Sequence, residues 1–200
     1  TLDVALYDHL INPEILEVLP KTCEKIYVGK TKGKHSKKQE EINELIVSYA
    51  KSGKIVGRLK AGHPFIYGRG AEEVEAITQE GINVEVVEGL SSAISAPTIA
   101  GIPLTIREKK DSILIVSAHL KNKRINLDWI ENLKKENLRI IVLMGLSRAK
   151  HIQKKALEIG IDPKKEVALI NSLNKQIIKT TLENLEEKAK KIEKPAVIVF

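Results

Sequence analysis

The chain has 200 residues, 42% of them hydrophobic, with one cysteine and a formal net charge of +7, which allows one large core or two smaller ones and excludes an internal disulfide. No apolar run approaches the ~18 residues of a membrane-spanning helix, and the N-terminus lacks a signal-peptide pattern, so we expect a cytoplasmic protein without membrane attachment. Basic residues are interspersed with glutamates, and aromatic residues are only 4% of the chain, which argues against binding of nucleic acid.

An apolar run at residues 2–7 predicts a buried strand at the start of the chain. Ser36, followed three residues later by Gln39, has the spacing of a capping box, and apolar residues at helical spacing come after it. Gly53 is placed to end that helix. Residues 55–59 then predict a second strand. The pattern is that of a strand, a helix and a further strand.

A loop that contains glycine and proline follows at residues 60–70. The next segment, residues 71–80, predicts a helix that ends at Gly81. Residues 83–87 predict another strand, and the small residues over 91–100 predict a short helix. Strands and helices therefore alternate through the first half of the chain.

The second half contains apolar runs of strand length separated by helical patterns. Strands are predicted at residues 112–116, 138–143, 167–170 and 196–200. Helices are predicted at residues 126–136, 147–159 and 175–192. This alternation predicts an α/β fold with mainly parallel sheets covered by helices, with ligands at the carboxyl ends of the strands.

The loop at residues 60–70 reads Lys-Ala-Gly-His-Pro-Phe-Ile-Tyr-Gly-Arg-Gly. In an α/β sheet, the loop that leaves a strand is where backbone N–H groups approach a ligand, and glycine removes the Cβ that would block them. The glycine spacing does not match a dinucleotide fingerprint, and no Gly-Lys-Ser/Thr follows as in a P-loop. The composition leaves two interpretations open, an ordinary connection and a ligand-binding loop of another kind.

Four separated blocks resemble one enzyme family in order, spacing and identity. They are Val28-Gly29-Lys30, Gln39-Glu40-Glu41-Ile42-Asn43, Arg58-Leu59-Lys60 through Gly68-Arg69-Gly70-Ala71-Glu72-Glu73, and Ala100-Gly101-Ile102-Pro103-Leu104-Thr105. The likeness extends through later segments, so the sequence resembles the tetrapyrrole methylase family over essentially its whole length. Within that family, the blocks look most like the members that methylate uroporphyrinogen III.

The resemblance implies two α/β domains that flank a central cleft and bind S-adenosylmethionine there, in a homodimer. The domain at 1–88 would hold the tetrapyrrole substrate and part of the cofactor site, and the domain at 89–200 would complete the cofactor site. The implied reaction is C-methylation of uroporphyrinogen III to precorrin-2, for siroheme or cobalamin synthesis. No metal is implied, and the five histidines do not have the spacing of a metal site.

The resemblance also assigns roles to individual residues. Asp8 matches the family's proposed proton acceptor, and Lys30 matches its proposed proton donor. Cofactor contacts are implied for Ala61, Gly62, His63, Ile66, Ser91, Ser92 and Met144. Four basic residues in or near the matched blocks would pair with carboxylates of the substrate, namely Arg58, Lys60, Arg69 and Arg107.

The sequence departs from the family pattern at several places, two of which concern cofactor binding. Residues 61–64 read Ala-Gly-His-Pro where the family has Gly-Gly-Asp-Pro, so His63 removes an anion from the loop. The family also opens with a strand and a Gly-x-Gly-Pro-Gly-Asp-like loop, and we expect that this strand and loop are missing from the sequence as given. Two alternatives stay open, a methyltransferase that acts on a later corrinoid intermediate and a non-catalytic homologue that acts as a binding module.

Overall fold

The structure is a computed structural model that describes residues 1–29, 38–120 and 124–200. It divides into two compact units, Thr1–Leu90 and Ser91–Phe200, and each unit contains its own sheet. Among the described residues, none of the helices has the length and apolar character to cross a membrane. The division of the substrate and cofactor sites between domains at 1–88 and 89–200 stays a prediction.

The first unit is built on a parallel sheet of three strands in the order β2-β1-β3. The strands are β1 (Val4–Tyr7), β2 (Glu24–Tyr27) and β3 (Val56–Leu59). The central strand β1 has its first three side chains completely buried. A strand buried on both faces is read as a continuous apolar run, which is why residues 2–7 predicted it.

Three helices accompany this sheet: α1 (Pro13–Glu17), α2 (Gln39–Lys51) and α3 (Gly70–Gln79). The buried side chains of α2 and α3 pack with those of β1 in one apolar cluster. The predicted helices over these two segments are confirmed. Of the predicted capping box, Ser36 lies outside the described residues, and the N-cap position of α2 is occupied by Lys38.

The strand predicted at residues 83–87 is wrong, because this segment belongs to no ladder in the structure. Val86 and Val87 are 39% and 74% exposed, whereas Ile82 and Val84 pack against the apolar cluster. Apolar alternation sets which side chains face the core, but a strand also needs a hydrogen-bonded neighbour. In this segment the backbone is irregular, and one side of it packs against the apolar cluster.

The second unit contains a mixed sheet of five strands in the order β4-β5-β8-β6-β7. Its strands are β4 (Ser112–Ser117), β5 (Leu138–Leu143), β6 (Glu166–Asn171), β7 (Gln176–Thr181) and β8 (Val197–Val199). β4 and β5 are parallel, while β8 runs antiparallel to β5 and β6, and β7 antiparallel to β6. The α/β class is confirmed; the first sheet is parallel and the second is mixed.

The helix predicted over residues 175–192 is largely wrong. Its first part is β7, and only a 3₁₀ turn at Leu182–Asn184 and the short helix α6 (Leu185–Ala189) follow. Four of the six residues of β7 are isoleucine or threonine, whose branched Cβ favours a strand. This segment pairs with β6 as a hairpin, and the hairpin decides the conformation.

The remaining helices of the second unit are α4 (Ser92–Ile99) and α5 (Ala149–Glu158), which confirm two predicted helices. The helix predicted at residues 126–136 shortens to a 3₁₀ segment at Ile130–Lys134. In it, the Asn132 side chain donates to the carbonyl of Trp129 at 3.1 Å, a local bond that competes with α-helical pairing. These elements and the sheet enclose a large apolar core.

Candidate functional site

The carboxyl ends of β1 and β3 bring together three of the predicted site residues. Asp8 follows β1 directly, Arg58 lies in β3, and Lys60 follows β3. Because β1 and β3 are parallel neighbours, their carboxyl ends share one edge of the sheet, where α/β proteins bind ligands. The predicted proton acceptor and two predicted substrate contacts therefore lie at the same edge.

Glu73, a buried carboxylate in the first turn of α3, pairs with both Arg58 and Lys60. Arg58 Nε lies 3.2 Å from Glu73 Oε1, and Lys60 Nζ lies 2.8 Å from Oε2. Gln39 Nε2, at the start of α2, donates to Oε1 at 3.0 Å. The sequence blocks contained Gln39 and Glu73 without giving them a role. The signal that was missed is that Glu73 precedes the buried Ile77 by one helical turn and so faces the core.

Arg58 connects this buried carboxylate to Asp8. Its Nη2 lies 3.5 Å from Asp8 Oδ2, and its Nη1 donates to the carbonyl of Leu59 at 2.6 Å. Asp8 Oδ1 in turn accepts the N–H of Leu10 at 3.1 Å. The Asp8 side chain is 30% exposed and that of Arg58 is 14% exposed. Asp8 is therefore held from two sides while part of its carboxylate stays accessible.

The surroundings of Lys60 change its pKa. Burial lowers the pKa of Lys60, and the hydrogen bond to Glu73 acts in the opposite direction. The positive charges of Lys60 and Arg58 are already shared with carboxylates of the protein. Their predicted pairing with substrate carboxylates stays a prediction, and their observed contacts are with Glu73 and Asp8.

The loop after β3 presents unused backbone donors at its start. Within the described part of the chain, the N–H groups of Ala61, Gly62 and His63 donate to no backbone acceptor. Gly62 has a φ of +82°, which glycine adopts without strain. A Cβ on Gly89 would lie 2.4 Å from the carbonyl oxygen of Gly62, so only glycine at 89 lets the two segments approach this closely.

The second part of the loop is fixed by bonds within itself. His63 accepts the N–H of Phe65 at its Nδ1 (3.2 Å) and the N–H of Ile66 at its carbonyl (3.1 Å). Gly70 donates to the carbonyl of Pro64 at 3.0 Å, and a Cβ on Gly70 would lie 2.6 Å from that oxygen. These internal bonds hold the loop in one shape and leave its first N–H groups available.

The other two predicted substrate contacts are exposed. Arg69 precedes α3 and pairs with Glu72 through two contacts, Nε to Oε1 at 3.0 Å and Nη2 to Oε2 at 2.5 Å. Its side chain remains 53% exposed. Arg107 lies on the surface of the second unit. Lys30, the predicted proton donor, lies outside the described residues.

The second unit carries the three remaining predicted cofactor contacts. Ser91 is buried, and its hydroxyl accepts the N–H of Ala93 at 3.2 Å as the N-cap of α4. Ser92 is half-buried in the first turn of that helix. Met144 follows β5 directly, is 48% exposed and has a φ of 56°. The structure thus places one predicted contact at the carboxyl end of a strand and two at a helix start.

A further polar pair lies at the ends of β4 and β5. His119 Nε2 is 3.2 Å from Ser147 Oγ, and the Ser117 hydroxyl donates to the carbonyl of His119 at 3.0 Å. No group of three His, Cys, Asp or Glu side chains within residues 1–29, 38–120 and 124–200 is arranged to hold a metal ion.

The start of the loop after β3 leaves room for a ligand to approach the main chain. Gly62 leaves the space of a side chain open, and the neighbouring N–H groups are available as donors. Backbone donors next to a residue without Cβ are a common way to let a ligand approach the main chain. His63 does not interfere with them, because its ring accepts a bond from within the loop.

Two curated proteins resemble the chain along nearly its whole length. The uroporphyrinogen-III C-methyltransferase of Methanocaldococcus jannaschii is 42% identical over 210 aligned residues, which cover 98% of this chain and 84% of that protein. The siroheme synthase of Sodalis glossinidius is 41% identical over 99% of this chain, and the chain spans only 42% of that relative's length.

A solved structure and a family match agree with these relatives. The uroporphyrin-III C-methyl transferase from Thermus thermophilus, complexed with S-adenyl homocysteine, aligns with a TM-score of 0.81 at 33% identity and covers 99% of this chain and 84% of its own. Residues 1–186 match the family of Tetrapyrrole (Corrin/Porphyrin) Methylases. Since the match takes in the first unit and most of the second, the chain belongs to the tetrapyrrole methylase family.

Proposed function

We propose that the chain transfers methyl groups from S-adenosylmethionine to ring carbons of uroporphyrinogen III, giving precorrin-2 for siroheme or cobalamin synthesis. The observation that carries the proposal is the edge of the first sheet, where an accessible carboxylate and a loop with available N–H groups follow neighbouring strands. The names of the relatives support the substrate. Since siroheme synthases are more than twice as long as this chain, the proposal covers the methylation alone.

The proposed cofactor contacts are those that the family resemblance implies. In the first unit, Ala61, Gly62 and His63 would donate backbone N–H groups and Ile66 would add apolar contact. In the second unit, Ser92 and Met144 would contact the ligand through exposed atoms, while Ser91 holds the start of α4. When bound, S-adenosylmethionine supplies a sulfonium methyl group that a carbon nucleophile can attack, with S-adenosylhomocysteine as the leaving group. The protein's own part is to align the reactants and to exclude water.

In this proposal Asp8 accepts the proton that the macrocycle must lose after a ring carbon has been methylated. Its carboxylate is accessible enough to reach a substrate, and Arg58 and the N–H of Leu10 hold it in one orientation. A fixed base within reach of the proton is what general base catalysis requires. Lys30 is the proposed donor of the proton that the macrocycle takes up elsewhere.

The proposed substrate carries carboxylates on every pyrrole ring, which calls for basic side chains at the site. Arg69 and Arg107 have exposed guanidinium groups that suit paired contacts with carboxylates. Arg58 and Lys60 lie deeper and share their charges with Glu73. We propose that the two exposed arginines bind the substrate directly, that Arg58 acts through Asp8, and that Lys60 pairs with Glu73.

The active form is proposed to be a cytoplasmic homodimer. Sedimentation velocity at micromolar concentration is expected to give twice the 22.3 kDa chain mass. A single species at the mass of one chain, with full methyltransferase activity, would contradict the dimer.

The reaction is tested by incubating the chain with uroporphyrinogen III and methyl-labelled S-adenosylmethionine under anaerobic conditions. We expect label to appear in the extracted tetrapyrrole. A parallel incubation with a later corrinoid intermediate separates the alternatives. Transfer to that intermediate alone, or binding of the cofactor without any transfer, would overturn the proposal.

A further inference from the structure

Glu73 has no part in the chemistry described above, yet its position in the fold is unusual for a carboxylate. Among the described residues it is the only charged residue that is buried, at 4% exposure. Ile77, one turn later on α3, is also buried. Residues four apart share one face of a helix, so both side chains face the core. A buried carboxylate is costly unless it is paired and hydrogen-bonded, and Glu73 is both.

The two oxygens of Glu73 hold different partners. Oε1 accepts from Arg58 Nε at 3.2 Å and from Gln39 Nε2 at 3.0 Å, and Oε2 contacts Lys60 Nζ at 2.8 Å. Gln39 is itself fixed, since its Nε2 also donates to Asn43 Oδ1 at 3.0 Å. The carboxylate is therefore held from two sides, by Arg58 and Lys60 in and just after β3 and by Gln39 at the start of α2.

Holding Arg58 at Nε determines where the rest of its guanidinium lies. The group is planar and rigid, so a fixed Nε and a fixed Nη1, which donates to the carbonyl of Leu59, leave Nη2 pointing at Asp8. These contacts link Glu73 through Arg58 to Asp8, which is the more exposed of the two carboxylates.

We propose that Glu73 is a positioning residue for the methyl-transfer reaction, which orients Asp8 by fixing Arg58 and by keeping Lys60 away from Asp8. The inference rests on the proposed function, in which Asp8 accepts the ring proton. Glu73 does not touch the substrate in this account; it acts through Arg58.

The balance of charge gives the physical reason. The network contains two cations, Arg58 and Lys60, and two carboxylates, Asp8 and Glu73. Without the Glu73 charge, the two cations repel each other and compete for Asp8 alone. Burial already lowers the pKa of Lys60, and Glu73 opposes that effect, so loss of Glu73 also favours loss of the Lys60 proton.

The kinetic test compares Glu73→Gln in the wild type and in an Asp8→Asn background. We expect Glu73→Gln to lower kcat by about 10- to 100-fold in the wild type, as for a misplaced catalytic group, with an unchanged KM for S-adenosylmethionine. In the Asp8→Asn background the same change should lower kcat by less than about twofold, because the two residues act as one unit. An equal loss in both backgrounds would mean a general structural effect and would overturn the proposal.

The matched control is Glu75→Gln, the same chemical change on an exposed position of α3. It is expected to leave kcat unchanged in both backgrounds. A loss of kcat in this control that equals the loss in Glu73→Gln would assign the effect to the helix rather than to the network, and would also overturn the proposal.

A second measurement does not depend on turnover and so separates failure of this inference from failure of the proposed function. The Arg58 Nε–H signal in nitrogen-15 NMR, assigned from its loss in Arg58→Lys, should exchange slowly with water in the wild type and in Asp8→Asn. In Glu73→Ala it should exchange at least about tenfold faster, because a buried hydrogen bond is lost. Protection that survives in Glu73→Ala, or disappears in Asp8→Asn alone, would overturn the order from Glu73 to Arg58 to Asp8.

If these single variants do not fold, Glu73→Gln combined with Lys60→Met removes one negative and one positive charge and keeps the network balanced. The Arg58 Nε–H exchange is then measured in the double variant. We expect faster exchange than in the wild type, and protection equal to the wild type would overturn the proposal.

Discussion

Asp8 combines an accessible carboxylate with contacts that fix its direction, and this combination distinguishes it from the other acidic residue beside β1. Asp3, at the amino end of the strand, accepts the N–H of Ile55 at 2.7 Å and so links the starts of β1 and β3. Ligands of parallel sheets bind at the carboxyl ends of the strands. The same residue type therefore has a structural part at one end of β1 and, in our proposal, a catalytic part at the other.

Replacing Asp8 with asparagine is expected to lower kcat by about 10²–10⁴-fold, the usual contribution of a general base. The affinity for S-adenosylhomocysteine should not change, because the proton leaves after the methyl group has been placed. Steady-state kinetics and calorimetric titration measure the two quantities. The matched control, Asp3→Asn, should leave turnover intact, and unchanged turnover in Asp8→Asn would remove Asp8 from the mechanism.

Lys60 makes the stability of the first unit depend on pH in the alkaline range. Its pKa is lowered by burial in the folded state, so between that lowered pKa and the ordinary value the unfolded chain binds more protons. The free energy of unfolding that Lys60 contributes therefore rises with pH across this interval. Urea unfolding from about pH 8 to about pH 10 should show this rise in the wild type and not in Lys60→Met. Equal slopes in the two proteins would contradict the account.

At the scale of elements, the loop after β3 depends on the segment that carries Gly89. A Cβ there would lie 2.4 Å from the Gly62 carbonyl, too close for any side chain without a backbone shift. We expect Gly89→Ala to weaken S-adenosylhomocysteine binding by more than about tenfold, which corresponds to ~1.4 kcal/mol. Calorimetric titration measures it.

The control for that change is Gly53→Ala, at the end of α2. Gly53 has a φ of +83°, and nothing lies within 4 Å of its Cβ position. Alanine there should lower the free energy of unfolding by about 1–2 kcal/mol through backbone strain and leave cofactor affinity as it was. Equal affinities of the wild type and Gly89→Ala for S-adenosylhomocysteine would show that this loop is not part of the cofactor site.

The elements that were predictable from the sequence are those whose pattern has one physical cause. β1 reads as an unbroken apolar run because both its faces are buried, and α2 reads as a helix because its apolar residues share one face. β7 and residues 83–87 failed for opposite reasons. The pairing of β7 with β6 decided its conformation, whereas residues 83–87 had strand-like alternation and no ladder to join.

The residues of the candidate site also divide into those that could be assigned from the sequence and those that could not. Asp8, Gly62 and Met144 were assigned from the likeness to a family, and the structure places each directly after a strand or in the loop that leaves one. Glu73 was not assigned, since a glutamate in a helix usually lies on the surface. Its burial is visible only when the helix phase relative to Ile77 and the positions of both cations are known together.

At the scale of the whole molecule, the net charge of +7 suits a substrate that carries many carboxylates. The chain spans about two fifths of the length of the siroheme synthases it resembles and most of the length of the Methanocaldococcus jannaschii methyltransferase. Membership of the tetrapyrrole methylase family leaves the chemistry at the acceptor open, because a substrate of this kind offers both ring carbons and carboxylate oxygens to a methyl donor.

Carbon-13 NMR of the product made from uroporphyrinogen III and S-adenosylmethionine with a carbon-13 methyl group tests the central claim most directly. The account predicts new methyl signals bonded to ring carbons, formed by the wild type and strongly reduced with Asp8→Asn. Label found only as methyl esters of the substrate carboxylates, or no label in the tetrapyrrole at all, would contradict it.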